Sequence, residues 1–220
     1  QNTEAEGHAQ MDLALEKGVN FFDTAELYSV PATPETYGAT EKIIGSWFQK
    51  TGNREKVILA SKIAGPGDYT AHIRKDGFSK RGLKEALEGS LKRLQTDYID
   101  LYQLHWPGRG VNCFGVRDYP FKTATKEAEN HLEILETLNG FVKEGKIKKV
   151  GLSNETPWGT MQYLQTAKEN NLPRMVTIQN SYSLIHRAYE YAMSEVSLRE
   201  DVGLLVYSPL AQGVLSGKYL

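Results

Sequence analysis

Segments of helical period and segments of strand character alternate along the whole chain. That alternation constrains the fold most, because it calls for a parallel sheet whose strands are joined by crossover helices. The expected helices run about His8 to Lys17, Thr40 to Lys50, Ser79 to Gln95, Asn130 to Glu144, Thr156 to Glu169 and Tyr189 to Glu200. Six strands interleave with them: Val19 to Ala25, Val57 to Ala64, Tyr98 to His105, Lys148 to Asn154, Thr177 to Ser183 and Gly203 to Pro209. Leu83, Leu87, Leu91 and Leu94 form one apolar stripe behind Ser79 as N-cap. Thr156 and Pro157 read as N-cap and first helical position, and Gly18 and Gly145 stand where helices end. In the first strand Val19, Phe21 and Phe22 are apolar on both parities, which predicts cover on both faces. Unequal strand spacing suits a decorated (β/α)8 barrel better than a fixed-period solenoid. No linker, low-complexity tract or charge block interrupts the pattern, so residues 1–220 are read as a single domain.

In a barrel of this kind function collects at the C-terminal ends of the strands. Here those ends carry Asp23, Lys62, His105, Ser153 with Asn154, Gln179 with Asn180, and Tyr207 with Ser208. Asp23 closes a buried strand and is costly there without a cation to hold it; Lys62 is the candidate partner. With Tyr28 on the following loop, these groups can perform acid chemistry. After His105 comes a loop of about 24 residues, rich in glycine and aromatics, of the length that lids and binding loops have. Within it Trp106, Phe114 and Tyr119 are candidates for a pocket wall or for a small core of the loop itself.

Composition excludes several other classes. The net charge is −1 with signs interspersed, which gives no footprint for nucleic acid or for an anionic membrane surface. No apolar run approaches the roughly 20 residues of a membrane span. The single cysteine, Cys113, fits a reducing, cytoplasmic setting. His8, His72, His131 and His186 have no metal-ligand spacing, so no metal is expected and surface or capping roles are assigned to them. GVLSGK, residues 213–218, is one residue short of a phosphate loop and is rejected as one.

The stretches FFDTAELY, ILASK, DYIDLYQLHWP, GKIKKVGLSNET, TIQNSYS and VYSPLAQGVLSGKYL occur in an order that resembles the aldo-keto reductase superfamily, and within it the bacterial Tas-type NADP(H)-dependent branch. The resemblance covers nearly the whole chain. It implies a (β/α)8 barrel and hydride transfer from NADPH to the carbonyl of a small-molecule aldehyde or ketone. By that resemblance Tyr28 is the general acid, Lys62 and Asp23 are the ion pair that tunes it, and His105 orients the carbonyl beside Trp106. Ser153, Asn154 and Gln179 would hold the nicotinamide carboxamide, Tyr207 would stack on the ring, and Ser208, Leu210, Gln212 and Lys218 would follow the pyrophosphate. An ammonium near the phenol is expected to bring Tyr28 below the ordinary tyrosine pKa.

The six strands are two short of a closed barrel. The resemblance places a first strand with a glycine-rich turn, and the final units that grip the adenosine 2′-phosphate, outside these residues, so the chain is expected to be part of a longer protein. A second reading is a nicotinamide-binding regulatory subunit of the channel β-subunit type, with little turnover. The intact Asp23, Tyr28, Lys62 and His105 favour the enzyme. The natural carbonyl and the oligomeric state are not legible in the sequence.

Overall fold

The computed structural model describes residues 2–114, 116, 118–122 and 129–220. Its elements are α1 (Glu4–Glu16), β1 (Phe21–Asp23), α2 (Ala39–Thr51), β2 (Ile58–Ile63), α3 (Lys80–Leu94), β3 (Ile99–Leu104), α4 (His131–Lys143), β4 (Ile147–Ser153), α5 (Pro157–Glu169), β5 (Met175–Ser181), α6 (Met193–Glu200) and β6 (Gly203–Tyr207). The six strands pair in sequence order and every pairing is parallel. A flat sheet would put β1 and β6 about 24 Å apart, at about 4.8 Å per strand. The Tyr28 phenol, just after β1, nevertheless lies near enough to the Tyr207 phenol at the end of β6 for the two to interact. The sheet is therefore curled, and the arrangement is six units of a partial (β/α)8 barrel.

Helices α1, α3, α4 and α5 begin where a polar side chain satisfies a free N–H group. Ser79 accepts from Gly82 N, Thr156 from Gly159 N and Asn130 from Glu133 N. Leu83, Leu87 and Leu94 of α3 are buried in a core with Trp47, Leu59, Ile99, Tyr102, Leu135 and Leu138, between the sheet and the helices. Successive strand residues point to opposite faces. Phe22 packs on Trp47 of α2, with ring centroids 5.6 Å apart, and Ser61 donates to Glu41 of α2 at 2.6 Å. Asp23 and Lys62 thereby face the interior of the curl.

Three expectations change. Helix α1 begins at Glu4 rather than near His8, because Thr3 and Glu6 form a reciprocal capping box. The sixth helix starts only at Met193, after a separate tight turn over Ala188–Tyr191. Strand β1 spans three residues and is not covered on both faces: Phe21 is 38% exposed, and Val19, which precedes the strand, 55%.

The contact between α2 and α3 depends on a missing side chain. A Cβ at Gly45 would overlap the carbonyl oxygen of Arg93 and lie 2.8 Å from the carbonyl carbon of Leu94. Alanine gains about 1 kcal/mol of helix propensity, but backbone cannot yield as a side chain does, and overpacking costs about 1–3 kcal/mol. Gly45→Ala is expected to lower stability by up to about 2 kcal/mol in urea denaturation.

Candidate active site

The centre is built on the inner ends of β1, β2 and β3. The Lys62 ammonium is fully buried and donates to Asp23 Oδ2 at 2.6 Å and to the Thr24 carbonyl at 2.8 Å. Burial depresses its pKa, and the Asp23 carboxylate opposes that. Asp23 is shared: its Oδ1 accepts from Gln103 Nε2 at 3.1 Å. Gln103 lies on β3 two residues before His105, which directly follows the strand, and its side chain faces the same interior as Asp23.

Tyr28 closes this group from the loop after β1. The Lys62 ammonium is 5.2 Å from the centroid of its ring, and His105 meets the ring edge-on with centroids 5.6 Å apart. The phenol is nonetheless pushed up to about 12, by burial first and by the Asp23 charge second. This is opposite to the depression expected from a neighbouring ammonium. The reason is that Lys62 already points at Asp23 and the Thr24 carbonyl, so the phenol meets a compensated pair in a poorly solvated place.

His105 is buried, and its backbone N–H donates to the Ile63 carbonyl at 3.1 Å. Burial, then the Lys62 charge, pushes its pKa well below the ordinary value, which leaves the imidazole neutral. Its Nδ1 is buried without a hydrogen-bond partner among the described residues. Trp106 lies 5.1 Å from the His105 ring and is fixed by an Nε1 hydrogen bond to the Pro66 carbonyl at 3.1 Å. A Cβ at Gly65 would overlap the Trp106 ring, so glycine is what admits the indole. Phe114 meets Trp106 edge-on at 5.6 Å, whereas Tyr119 is exposed and stacks with Phe121. Residues 115, 117 and 123–128 of this loop lie outside the described residues.

On the far side of the curl Ser153, Asn154, Gln179 and Tyr207 join one network. Asn154 takes a left-handed backbone, with φ of 53°. Its Nδ2 donates to the His105 carbonyl at 2.9 Å, and its Oδ1 accepts from the Tyr207 hydroxyl at 2.7 Å. Ser153 Oγ and Asn154 N both donate to the Gln179 carbonyl, at 2.9 and 3.0 Å. These hydrogen bonds tie the candidate cofactor residues to the histidine strand.

The whole chain, residues 1–220, matches the family model for the aldo/keto reductases. The chain belongs to the aldo/keto reductase family. It is 50% identical to protein tas of Escherichia coli K12 over 222 residues, covering all of this chain and 64% of that protein. It is 37% identical over 215 residues to YrpG of Bacillus subtilis 168, described as an uncharacterized oxidoreductase, covering 96% of this chain and 59% of that protein. An aldo-keto reductase of Babesia bovis is 38% identical over 176 residues, covering 75% of the chain and 62% of the relative. The chain thus spans a little under two thirds of the length of these relatives.

In this aldo/keto reductase chain Ser208, Leu210, Gln212 and Lys218 form one exposed segment after β6. Lys218 folds over Gly213, whose added Cβ would lie 2.9 Å from its Nζ, and stands 4.9 Å from the Tyr219 ring centroid. His131, given a surface or capping role from the sequence, is not at the surface: it is buried, with its ring 4.4 Å from that of Tyr163 and its Nε2 3.8 Å from Glu129. Among the described residues no cluster of three or more His, Cys, Asp or Glu side chains could hold a metal, and no helix is long and apolar enough to cross a membrane.

Sequence reasoning missed the polar groups that fix the loops. Arg109 donates to both oxygens of Glu155, at 2.9 and 2.5 Å, and to Thr156 Oγ1 at 3.0 Å, which ties the loop after β3 to the start of α5. A glycine at 159 makes room, since a Cβ there would overlap both Arg109 and Glu155. Gln103, by contrast, was within reach of the sequence, because strand parity puts it on the face that His105 occupies.

Proposed function

We propose that this chain carries the catalytic centre of an NADPH-dependent reductase of aldehydes and ketones, in which Tyr28 is the general acid. The observation that carries the reading is the convergence of four groups from distant parts of the chain: the Tyr28 ring stands beside both the Lys62 ammonium and the His105 imidazole, with Asp23 holding the lysine. When bound, the nicotinamide supplies the hydride. Ser153, Asn154 and Gln179 would hold its carboxamide, and the residues suit the group: Ser153 and Gln179 are buried side by side with Asn154, and their hydroxyl and amide groups are the donors and acceptors that a carboxamide pairs with. Tyr207 presents an aromatic face for a planar ring. Ser208, Leu210, Gln212 and Lys218 would lie along the pyrophosphate. We take residues 1–220 as one domain.

The roles follow from chemistry. As the carbonyl carbon is reduced, charge grows on its oxygen. Tyr28 gives that oxygen the phenol proton, while the Lys62 ammonium stays held by Asp23 and the Thr24 carbonyl beside the ring. A phenol at about 12 is still a stronger acid than an aliphatic alcohol, so the transfer runs downhill. Neutral His105 can donate one N–H to the same oxygen, which orients the carbonyl. Trp106 and Phe114 offer the rest of the substrate an apolar, aromatic wall.

The electrostatics predict the pH dependence. Tyr28 stays protonated until about 12, and His105 is neutral down to well below its usual range. Neither titrates near neutrality, so the single-turnover rate of hydride transfer is expected to be flat between about pH 6 and about pH 9. The test is reduced-nicotinamide oxidation by a panel of aldehydes and ketones, with NADPH and NADH compared, across that range. Tight NADPH binding without carbonyl-dependent oxidation would favour the regulatory reading instead. A rate that follows a single group titrating near neutrality would remove the assigned protonation states.

A further inference from the structure

Two residues before Tyr28 stands a carboxylate that the proposed reaction does not use. Glu26 is buried, and both its backbone and its side chain reach β2. Its N–H donates to the Lys62 carbonyl at 3.1 Å, and its Oε1 accepts from Ala64 N at 2.7 Å. The pairing register of β1 with β2 ends at Asp23 and Ala60. Glu26 therefore reattaches the departing loop to the lysine-bearing strand, at points on either side of Ile63.

The carboxylate is itself clamped. Arg74 donates to Oε1 at 2.8 Å and to Oε2 at 3.0 Å, a two-pronged geometry that fixes the plane of the carboxylate as well as its position. Arg93 stands 4.0 Å from Oε2 and donates to Glu41 at 2.7 Å; Glu41 in turn accepts from Ser61 of β2. Arg74, Glu26, Arg93 and Glu41 make a chain of alternating sign and zero net charge, joining the Tyr28 loop to β2, α2 and α3. Removing so many charges from water costs several kcal/mol per ion, and a well-packed apolar cluster often serves stability as well. Directional anchoring is what an apolar cluster would not supply.

We infer that Glu26, held by Arg74, is a positioning residue that sets where the Tyr28 hydroxyl stands relative to Lys62. The inference rests on the reading of Tyr28 as the acid. A misplacement of about 1 Å costs roughly 100-fold in rate, and Glu26 ties the part of the loop next to Tyr28 to the end of β2.

The test measures three quantities in the intact protein: single-turnover hydride transfer to one aldehyde, the NADPH Kd from nicotinamide fluorescence, and Tm. The variants are Glu26→Gln, Glu26→Gln with Arg74→Met, and Tyr28→Phe. Glu26→Gln is expected to slow transfer roughly 100-fold, to leave the Kd within about twofold, and to lower Tm because Arg74 loses its partner. The double variant removes the uncompensated charge, so it should regain Tm while transfer stays slow; it also decides the matter if Glu26→Gln alone does not fold. Transfer that recovers together with Tm, or a Glu26→Gln protein that transfers at the wild-type rate, overturns the inference. Tyr28→Phe separates the two ideas: wild-type transfer there removes the acid reading itself, whereas slow Tyr28→Phe beside fast Glu26→Gln removes only the positioning role.

Discussion

Tyr28→Phe is expected to slow hydride transfer by about 10²–10⁴-fold, the range of a lost general acid, while NADPH binding and fold persist. That loss corresponds to about 3–5 kcal/mol of transition-state stabilisation. The substitution removes one oxygen and keeps the ring, so the edge-on contact with His105 and the packing against the Lys62 ammonium remain. No buried charge loses its partner either, because Lys62 keeps Asp23 and the Thr24 carbonyl. What disappears is the proton that the developing alkoxide needs, with neutral His105 and water left as poorer sources. Rapid mixing of enzyme and NADPH with aldehyde isolates the step from product release. An unchanged transient rate in the phenylalanine variant would sink the assignment.

Local chemistry was the legible part of this chain. Thr156 followed by Pro157 placed α5 at Pro157–Glu169, and Ser79 placed the start of α3, because a cap is written within a few residues of its helix. The Thr3 to Glu6 box obeys the same rule, and giving more weight to the apolar face from Met11 hid it. The sixth helix failed for a tertiary reason: Tyr189 is buried against the helix that follows, with its hydroxyl on Ser197, while Tyr191 is fully in solvent, so the chain turns before α6 can begin. Strand ends gave candidates for the centre, but parity and order cannot say how far a sheet curls. Pairwise side-chain contacts were out of reach: Glu26 with Arg74 and Arg109 with Glu155 join residues 48 and 46 apart, and no periodicity encodes such a pairing. The Tyr28 acidity had the wrong sign because Lys62 was counted as a charge free to act on the phenol, whereas in the fold that charge is already engaged.

The same engagement makes Asp23→Asn the most costly change expected for stability, with a pH dependence of its own. Lys62 is fully buried, and the Asp23 carboxylate, 29% exposed at its side chain, is its counter-ion. Removing one member of a buried pair costs about 3–5 kcal/mol; partial solvation of Asp23 favours the lower figure. Lys62 has one escape, to shed its proton. Burial already depresses its pKa, and Asp23 is the first of the groups that raise it again. In the variant the folded pKa falls further, while the unfolded lysine keeps a value near about 10.4. The unfolded chain then binds more protons than the fold, so stability rises with pH up to that value. Deprotonating lysine in the fold costs about 1.36 kcal/mol for each pH unit below about 10.4, which caps the penalty at about 4.6 kcal/mol at pH 7 and about 1.2 kcal/mol at pH 9.5. Urea denaturation of wild type and variant at those two values is expected to show a deficit of about 3 kcal/mol shrinking to about 1. A deficit equal at both would mean that Lys62 is not the ion whose burial Asp23 offsets.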